Sequence, residues 1–247
     1  MSHVVEYHRF VLYEIPSLKG KRVLELGAGR GIWAYLMRSA REDFDSIIVG
    51  VDIHSPYLAH CKRFRVYDDL VRADARWLPF VESVFDIVVA AEVIEHLPKA
   101  QGPFLLKEIE RVCQGKAVIT TPNGFWHQRE IPHGVASETH LSGWSVSDLV
   151  SFGYKVHGIG FRPARQIMDR QPKLWGFLHY TFTPFSQVFP RLGELLIATK
   201  ELGNTHPIQV SPIARQYFAS DKKSKHHMSL DIIHASTIAE NNLVNSV

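Results

Sequence analysis

Three closely spaced glycines form the part of the sequence best suited to ligand chemistry. Gly27, Gly29 and Gly31 follow the apolar run Arg22–Leu26 and precede a helical pattern that begins near Ile32. Glycine lets the backbone turn sharply and lets a ligand approach without a Cβ atom in the way. This spacing predicts a ligand-binding turn between a strand and a helix. A nicotinamide dinucleotide fingerprint would need a glycine where Ile32 stands, so we do not expect a dinucleotide.

An aspartate at the end of the next apolar segment is suited to binding sugar hydroxyls. Residues 46–53 predict a buried strand, and Asp52 stands near its end, 21 residues after Gly31. A carboxylate at this position can accept hydrogen bonds from both hydroxyls of a ribose. Ile53 beside it would pack on an adenine ring. The structural alternative is that Asp52 caps a helix and Ile53 is simply an apolar strand-end residue.

The loop at residues 122–143 carries three histidines, His127, His133 and His140. A loop of this length is unusual in a compact domain, which favours a function for it. Histidine has a suitable pKa to act as a general base toward a hydroxyl or an activated carbon. The spacing of the three matches no standard pattern of metal ligands, so we predict no metal site. The structural alternative is a loop histidine that bonds to the backbone.

Apolar segments of strand length alternate with segments of helical period. Strands are predicted at residues 22–26, 46–53, 85–91, 116–121, 154–160 and 194–200, with a helix after each of the first three. Ser55 is predicted to be the N-cap of the second helix, with Pro56 at its first helical position. Ser145 and Asp148 form a capping-box pattern for a later short helix. This order indicates an α/β fold with a mostly parallel sheet, which binds ligands at the carboxyl ends of its strands.

An aromatic segment and a polar tail follow the alternating part of the chain. Residues 166–193 form an insertion with Trp175, Phe177, Tyr180, Phe182, Phe185 and Phe189. Such a stripe predicts either the apolar face of a helix packed on the sheet or a lid over a lipid-like ligand. We predict a domain at residues 1–202 and a tail at residues 203–247. The basic run KKSKHH at residues 222–227 is either a solvated stretch or a contact for anionic lipid or nucleic acid.

Composition excludes several classes of protein. Of the 247 residues, 45% are hydrophobic and 21% are charged, which permits a sizeable core. The net charge is +3 with neutral histidines, so no strong attraction to nucleic acid or membranes is expected. Cys61 and Cys113 lack metal-ligand spacing and are expected to be reduced thiols. Residues 1–10 lack the apolar core of a signal peptide, and no run approaches the ~20 apolar residues of a membrane span, so we expect a cytoplasmic location.

Four segments in this order resemble the class I S-adenosylmethionine-dependent methyltransferases, specifically their type 11 small-molecule group. They are VLELGAGRG at residues 23–31, VDI at 51–53, ADARWLPF at 73–80 and FDIVVAAEVIEHL at 85–97. A looser match continues through TPNG at residues 121–124 and HLSGWSVSDLVSFGY at 140–154, so the resemblance covers about residues 20–200. It implies a Rossmann-like sheet of about seven mostly parallel strands with helices on both faces. It also implies S-adenosyl-L-methionine as the cofactor.

The resemblance implies roles for individual residues in the cofactor site. The loop at residues 27–31 would hold the methionine part of the cofactor, with Glu25 near its ammonium group. Asp52 would hold the ribose. Asp74 would meet the adenine amino group, with the Ala75 backbone beside it, although a turn-forming aspartate is the structural alternative.

The resemblance also implies how the acceptor side is built. Ala91 and Glu92 would line the pocket beneath the transferring methyl group. His96 would either support these pocket residues from behind or be a packed or capping histidine. His140 is the candidate catalytic base, because it resembles a recurring histidine just before the helix that follows the fifth strand. The implied cofactor-binding residues are Glu25, Gly27, Ala28, Gly29, Gly31, Asp52, Ile53, Asp74, Ala75, Ala91 and Glu92.

The function implied by the resemblance is methyl transfer to a small-molecule acceptor, at oxygen or carbon, such as a quinone, lipid or sugar-type precursor. The cofactor's sulfonium already supplies an electrophile, so the protein mainly has to align the acceptor and exclude water. A nucleic-acid methyltransferase is the alternative, but residues 91–94 (AEVI) replace the expected NPPY-type tetrapeptide and there is no broad basic surface. A third possibility is a module that binds the cofactor without turnover.

Overall fold

A seven-stranded sheet forms the centre of the molecule. The computed structural model describes residues 4–41, 45–126, 138–167 and 170–203. The strands are β1 (Arg22–Leu26), β2 (Ile47–Asp52), β3 (Asp69–Arg72), β4 (Phe85–Ala91), β5 (Cys113–Pro122), β6 (Lys155–Ile159) and β7 (Leu195–Glu201). The helices are α1 (Val4–Glu14), α2 (Ile32–Arg41), α3 (Ser55–Phe64), α4 (Gly102–Val112), α5 (Val146–Ser151) and α6 (Pro172–Val188).

The strand order is β3-β2-β1-β4-β5-β7-β6. Strands β1 to β5 pair in parallel, and β7 runs antiparallel to both β5 and β6. The carboxyl ends of six strands therefore meet along one side of the sheet, which we call the carboxyl edge. Asp52 ends β2 and Ala91 ends β4 at this edge, and Gly27 follows β1 there. The predicted fold class is confirmed.

Both faces of the sheet are covered, because its central strands are largely apolar and buried. Leu24 and Leu26 of β1 pack with residues of α4 and α5, whereas Val23 packs on the other face with residues of α1 and α2. Nearly continuous apolar runs of this kind are typical of parallel strands buried on both faces. Within the described ranges, no helix combines the length and apolar character needed to cross a bilayer.

Local signals in the sequence located most elements but missed some details. Strand β3 was not predicted, because it has only four residues and lacks a long apolar run. The prediction of Ser55 as an N-cap is wrong: His54 occupies that position without a side-chain cap, and Ser55 is the first helical residue. The turn is fixed instead by Asp52, whose Oδ1 accepts the His54 N–H at 2.8 Å. The capping box of Ser145 is confirmed.

The aromatic segment forms helix α6, which packs along the edge strand β6. Its buried residues are Trp175, His179, Thr183 and Ser186. The Gly160 N–H donates to Thr183 Oγ1 at 3.1 Å, so a polar contact holds part of the helix against the end of β6. The exposed aromatic residues of the segment are Phe177, Tyr180, Phe185 and Phe189. The interpretation of the aromatic stripe as the packed face is therefore wrong for most of these residues, which point to solvent.

Trp144 anchors the segment that follows residue 137. Its side chain is 1% exposed, and its Nε1–H donates to Ser142 Oγ at 3.0 Å. A Cβ atom at Gly102 would lie 2.0 Å from Cζ2 of this ring. Because such overpacking cannot be relieved by a small shift, we expect Gly102→Ala to lower the free energy of unfolding by about 1–3 kcal/mol in urea titrations.

Gly176→Ala is the matched control for this substitution. Gly176 lies within α6, where an added Cβ meets nothing within 4 Å. Alanine has the higher helix propensity, so this variant should be more stable by up to about 1 kcal/mol. Similar effects of the two substitutions would show that Trp144 is not tightly enclosed.

Candidate functional site

The glycine loop turns sharply between β1 and α2. Gly27, Gly29 and Gly31 all have positive φ, at 72°, 50° and 80°. A Cβ at Gly27 would lie 2.6 Å from Cγ2 of Val93, whereas one at Gly29 would meet only the Gly27 carbonyl oxygen, at 3.8 Å. Gly27 is thus required by close packing, and Gly29 opens onto free space that a ligand can fill.

The backbone donors of this loop are mostly used inside the protein. The N–H groups of Gly27 and Ala28 donate to the Val51 carbonyl oxygen, each at 2.9 Å, and the Gly31 N–H donates to the Ala28 carbonyl oxygen at 2.8 Å. A phosphate-binding loop would instead aim such donors at its ligand. The loop therefore fits a cofactor without phosphate, as S-adenosylmethionine is, better than a dinucleotide.

Asp52 joins the glycine loop to the end of β2. Its Oδ2 accepts the Gly29 N–H and its Oδ1 accepts the His54 N–H, each at 2.8 Å. Each carboxylate oxygen has more than one lone pair, so both can still accept a hydroxyl. Ile53, the next residue, is 50% exposed, an unusual state for a strand-end isoleucine. Both residues are therefore placed where a nucleoside could bind.

Glu25 lies beneath the loop and is enclosed rather than open to a ligand. It is 1% exposed, and neither carboxylate oxygen has a hydrogen-bond partner among the described residues. Burial raises the pKa of this carboxyl to about 8, while the nearby Tyr67 hydroxyl and Ala34 N–H lower it and the Asp52 charge raises it further. A buried carboxyl with a raised pKa is a group whose ionised form a cationic ligand would stabilise.

Asp74 follows β3 and is already held by a neighbour. Its Oδ1 accepts the N–H and the Nε–H of Arg76, both at 2.9 Å, and its Oδ2 pairs with Arg76 Nη2. These hydrogen bonds lower the pKa of Asp74. Ala75 is half-buried beside it. Arg76 was not predicted as a partner of Asp74, although an arginine two residues after an aspartate is visible in the sequence.

The end of β4 is rich in carboxyl groups. Ala91 is buried, and Glu92 has a positive φ of 56°. The Thr120 hydroxyl donates to Glu92 Oε1 at 3.1 Å, and Thr120 also accepts the Glu92 N–H. Glu95, three residues on, is 1% exposed, and burial together with the Glu92 charge raises its pKa well above the ordinary range. Glu95 was not predicted as a site residue, although an acidic residue beside the apolar pair Val93 and Ile94 is visible in the sequence.

His140 lies close to His96 at the same edge. The centroids of the two rings are 5.0 Å apart. Nδ1 of His140 is 3.0 Å from the Trp126 carbonyl oxygen, and Nδ1 of His96 is 3.2 Å from that of Thr139. Burial lowers the pKa of His96. His127 and His133 fall outside the described residues.

A side-chain contact links the cofactor half of the edge to the histidine-bearing segment. The Tyr57 hydroxyl of α3 donates to Glu138 Oε1, two residues before His140. Burial and this carboxylate raise the pKa of Tyr57 to about 12, and the Asp52 charge acts on it in the same direction. Tyr57 therefore lies near Asp52 and spans the space between two elements. No local sequence pattern connects residues 81 positions apart.

The strand order, with β7 antiparallel between β5 and β6, and the glycine loop after β1 are the arrangement found in class I methyltransferase domains. Comparison with known protein families gives the same class of domain. Residues 24–120 match the family model described as a methyltransferase domain. The predicted resemblance is confirmed over the matched residues, which make up less than half of the chain.

Individual relatives match over part of their length. The chain is 34% identical over 116 residues to phthiotriol/phenolphthiotriol dimycocerosates methyltransferase 1 of Mycobacterium ulcerans, covering 46% of this chain and 40% of the relative. It is 30% identical over 123 residues to a probable S-adenosylmethionine-dependent methyltransferase of Mycobacterium tuberculosis, covering 49% and 41%. The chain thus spans well under half the length of these two curated relatives.

A solved structure shows the same fold over a longer stretch. A putative methyltransferase from Bacillus halodurans shares 18% identity at a TM-score of 0.51, over 82% of this chain and 100% of the other. At this identity the similarity concerns the arrangement of the chain and not its chemistry.

Proposed function

We propose that the chain transfers the methyl group of S-adenosylmethionine to an oxygen or carbon atom of a lipid-like small molecule. The observation that carries the proposal is the glycine loop held to Asp52 at the carboxyl edge, with the 2.8 Å bond from Gly29. Open space at Gly29 and acceptor oxygens at Asp52 suit a nucleoside joined to an amino acid. Asp74, whose carboxylate is held by Arg76, would accept the adenine amino group, with the backbone of Ala75 beside it.

The bound cofactor supplies the electrophilic methyl group, and the protein needs no nucleophile of its own. In this proposal Ala91 and Glu92 line the pocket beside the methyl group. His140 takes the proton from an acceptor hydroxyl, since a ring whose Nδ1–H donates to the Trp126 carbonyl oxygen carries its basic lone pair on Nε2. The Tyr57 and Glu138 contact across the edge helps to exclude water.

The class of acceptor is inferred from the surface near the edge. The exposed aromatic residues Phe177 and Tyr180 of α6 form an apolar surface on the helix that packs against the end of β6. Such surfaces are typical of binding sites for apolar ligands. The name of the Mycobacterium ulcerans relative also denotes a lipid-like substrate. The net charge of +3 favours a small molecule over nucleic acid.

We further propose a cytoplasmic location and one methyltransferase domain at residues 1–202. Cys61 and Cys113 are both buried and unpaired thiols, as expected in a reducing compartment. The last strand of the sheet, β7, ends at Glu201, and Leu202 packs against the core just after it, which supports a domain boundary at residue 202.

The proposal is tested in two stages with the full chain. Calorimetry should show that S-adenosylhomocysteine binds, and its failure to bind would overturn the cofactor assignment. Incubation with cofactor carrying a labelled methyl group should then label hydroxylated aromatic and long-chain lipids. Label in RNA or DNA instead would favour the nucleic-acid alternative, and binding without transfer to any acceptor would favour a module without turnover.

Removal of the tail gives a prediction about the domain boundary. A chain that ends at Gly203 should bind S-adenosylhomocysteine with an affinity within about twofold of the full chain, because all seven strands lie before this residue. The measurement is calorimetry at matched protein concentration. A loss of tenfold or more would assign the tail to the cofactor site and contradict the boundary.

A further inference from the structure

Three side chains capable of binding a metal ion converge at the carboxyl edge. One ligand atom from each of Glu95, His96 and His140 lies within 4.8 Å of the others. Glu95 and His96 belong to the short turn Ile94–His96 after β4, whereas His140 belongs to the segment after residue 137. The cluster therefore exists only because the fold joins two distant parts of the chain.

The two histidines are oriented as metal ligands usually are. Nδ1 of His140 lies 3.0 Å from the Trp126 carbonyl oxygen, and Nδ1 of His96 lies 3.2 Å from that of Thr139. A ring that donates its Nδ1–H to a carbonyl carries its lone pair on Nε2. Metal-binding histidines almost always make such a second contact, which fixes the tautomer and the ring orientation.

The glutamate provides an independent indication of a missing cationic partner. Oε2 of Glu95 accepts the Thr121 hydroxyl at 3.1 Å, whereas Oε1 is buried and, among the described residues, has only the neighbouring Glu92 carboxyl to share a proton with. Such an oxygen is costly to bury unless a proton or a cation compensates it. The backbone carbonyl of Glu95 also accepts the N–H groups of Leu141 and Ser142, at 2.8 and 3.0 Å. These bonds hold the His140 segment directly on the turn that carries the other two side chains.

We propose that Glu95, His96 and His140 bind one divalent transition-metal ion. Two imidazoles and one carboxylate form a ligand set found around zinc, iron and related ions, and they leave coordination positions open. Ligand atoms around tetrahedral zinc lie about 3.3 Å apart, so side-chain rotation must bring the farthest pair closer by roughly 1.5 Å. Both histidines are only half-buried, which leaves room for that rotation.

No metal was predicted from the sequence, because the spacing of the three loop histidines matches no standard pattern of metal ligands. Two of the ligands proposed here come from another element, so spacing within the loop carried no information about them. The role of the ion rests on the proposed function: its open positions would bind the oxygen of the acceptor and lower the pKa of a hydroxyl there. His140 would then act as a ligand and not as the base.

The test is a metal titration of the full chain, free of affinity tags and stripped with a chelator. Co²⁺ is the probe because its visible absorption reports nitrogen and oxygen ligands. We expect about one ion per chain, with affinity reduced at least 100-fold in His140→Ala and in Glu95→Gln. His157→Ala is the matched control, since Nδ1 of His157 also contacts a carbonyl, at 3.3 Å from Gln187, but lies outside the cluster. It should bind like the unsubstituted chain.

Each outcome decides the proposal. Absence of a bound ion, or equal affinity in the His140→Ala and unsubstituted chains, would overturn it, because the second result would place the metal elsewhere. Glu95→Gln keeps the shape of the side chain and serves if the alanine variant fails to fold, which circular dichroism would reveal. Calorimetry with S-adenosylhomocysteine separates the two proposals. A chain that binds S-adenosylhomocysteine but no Co²⁺ overturns the metal site alone, whereas a chain that does not bind S-adenosylhomocysteine overturns the proposed function.

Discussion

Replacement of Asp52 by alanine should weaken S-adenosylhomocysteine binding at least 100-fold. The substitution removes the acceptors proposed for the ribose hydroxyls and also the two 2.8 Å bonds that fix the Gly29 and His54 N–H groups. Hydrogen bonds to charged groups contribute about 1.5–3 kcal/mol each, and about 2.7 kcal/mol corresponds to 100-fold. Calorimetry of folded protein at constant pH measures the change directly.

Asp68→Ala is the control that separates binding from stability. Asp68 also holds the backbone of β2, since its Oδ2 accepts the Ile48 N–H at 2.7 Å, but at the opposite end of the strand from Asp52. This variant should lose stability and keep its affinity for S-adenosylhomocysteine. Equal losses of affinity in the two variants would show that Asp52 acts through the fold and not through the ligand.

Binding of S-adenosylhomocysteine at pH 7 should release a large part of one proton from Glu25. The pKa of this buried carboxyl is raised to about 8, so it is mostly neutral at pH 7 in the free protein. The ammonium group of the ligand favours the ionised form if it binds near Glu25, and the proton then leaves. Calorimetry in buffers of different ionisation enthalpy measures the number of protons released.

Glu25→Gln supplies the comparison for this prediction. Glutamine has nearly the same shape and does not titrate, so proton release on binding should disappear, and the rise in affinity between pH 6 and about 8 should flatten. In the free protein, Glu25 contributes stability that is fully present below its ordinary pKa of 4.5 and is lost as the pH rises toward 8. The variant should therefore gain stability relative to the native chain at high pH. Proton release unchanged by the substitution would assign it to another group.

The sequence predicted the elements better than it predicted the site. Strand β4 was predicted with its observed bounds, since its apolar run admits one interpretation. The glycine loop and Asp52 were found because a turn of this kind needs glycine and the carboxylate follows a strand. The buried state of Glu25 could not be predicted, because it depends on the helix that covers the loop.

Contacts between distant parts of the chain account for what was missed. Glu95 and His140 meet only after the turn following β4 and the later segment pack together. Asp74 was predicted to bind a ligand, so its ion pair with the neighbouring Arg76 was not predicted. The polar packing of α6 was also unexpected, because a helix with this many aromatic residues ordinarily buries them.

The contact between Tyr57 and Glu138 affects the kinetics of ligand entry. It joins α3, on the cofactor half of the edge, to the segment that carries His140, and Tyr57 lies near Asp52. A nucleoside that reaches Asp52 by this route must first break the contact, and it restores the contact once it is in place. Association is then slowed by an opening step, while a bound cofactor escapes slowly for the same reason. We therefore expect this one hydrogen bond between the two halves of the edge to slow both the entry and the escape of the cofactor.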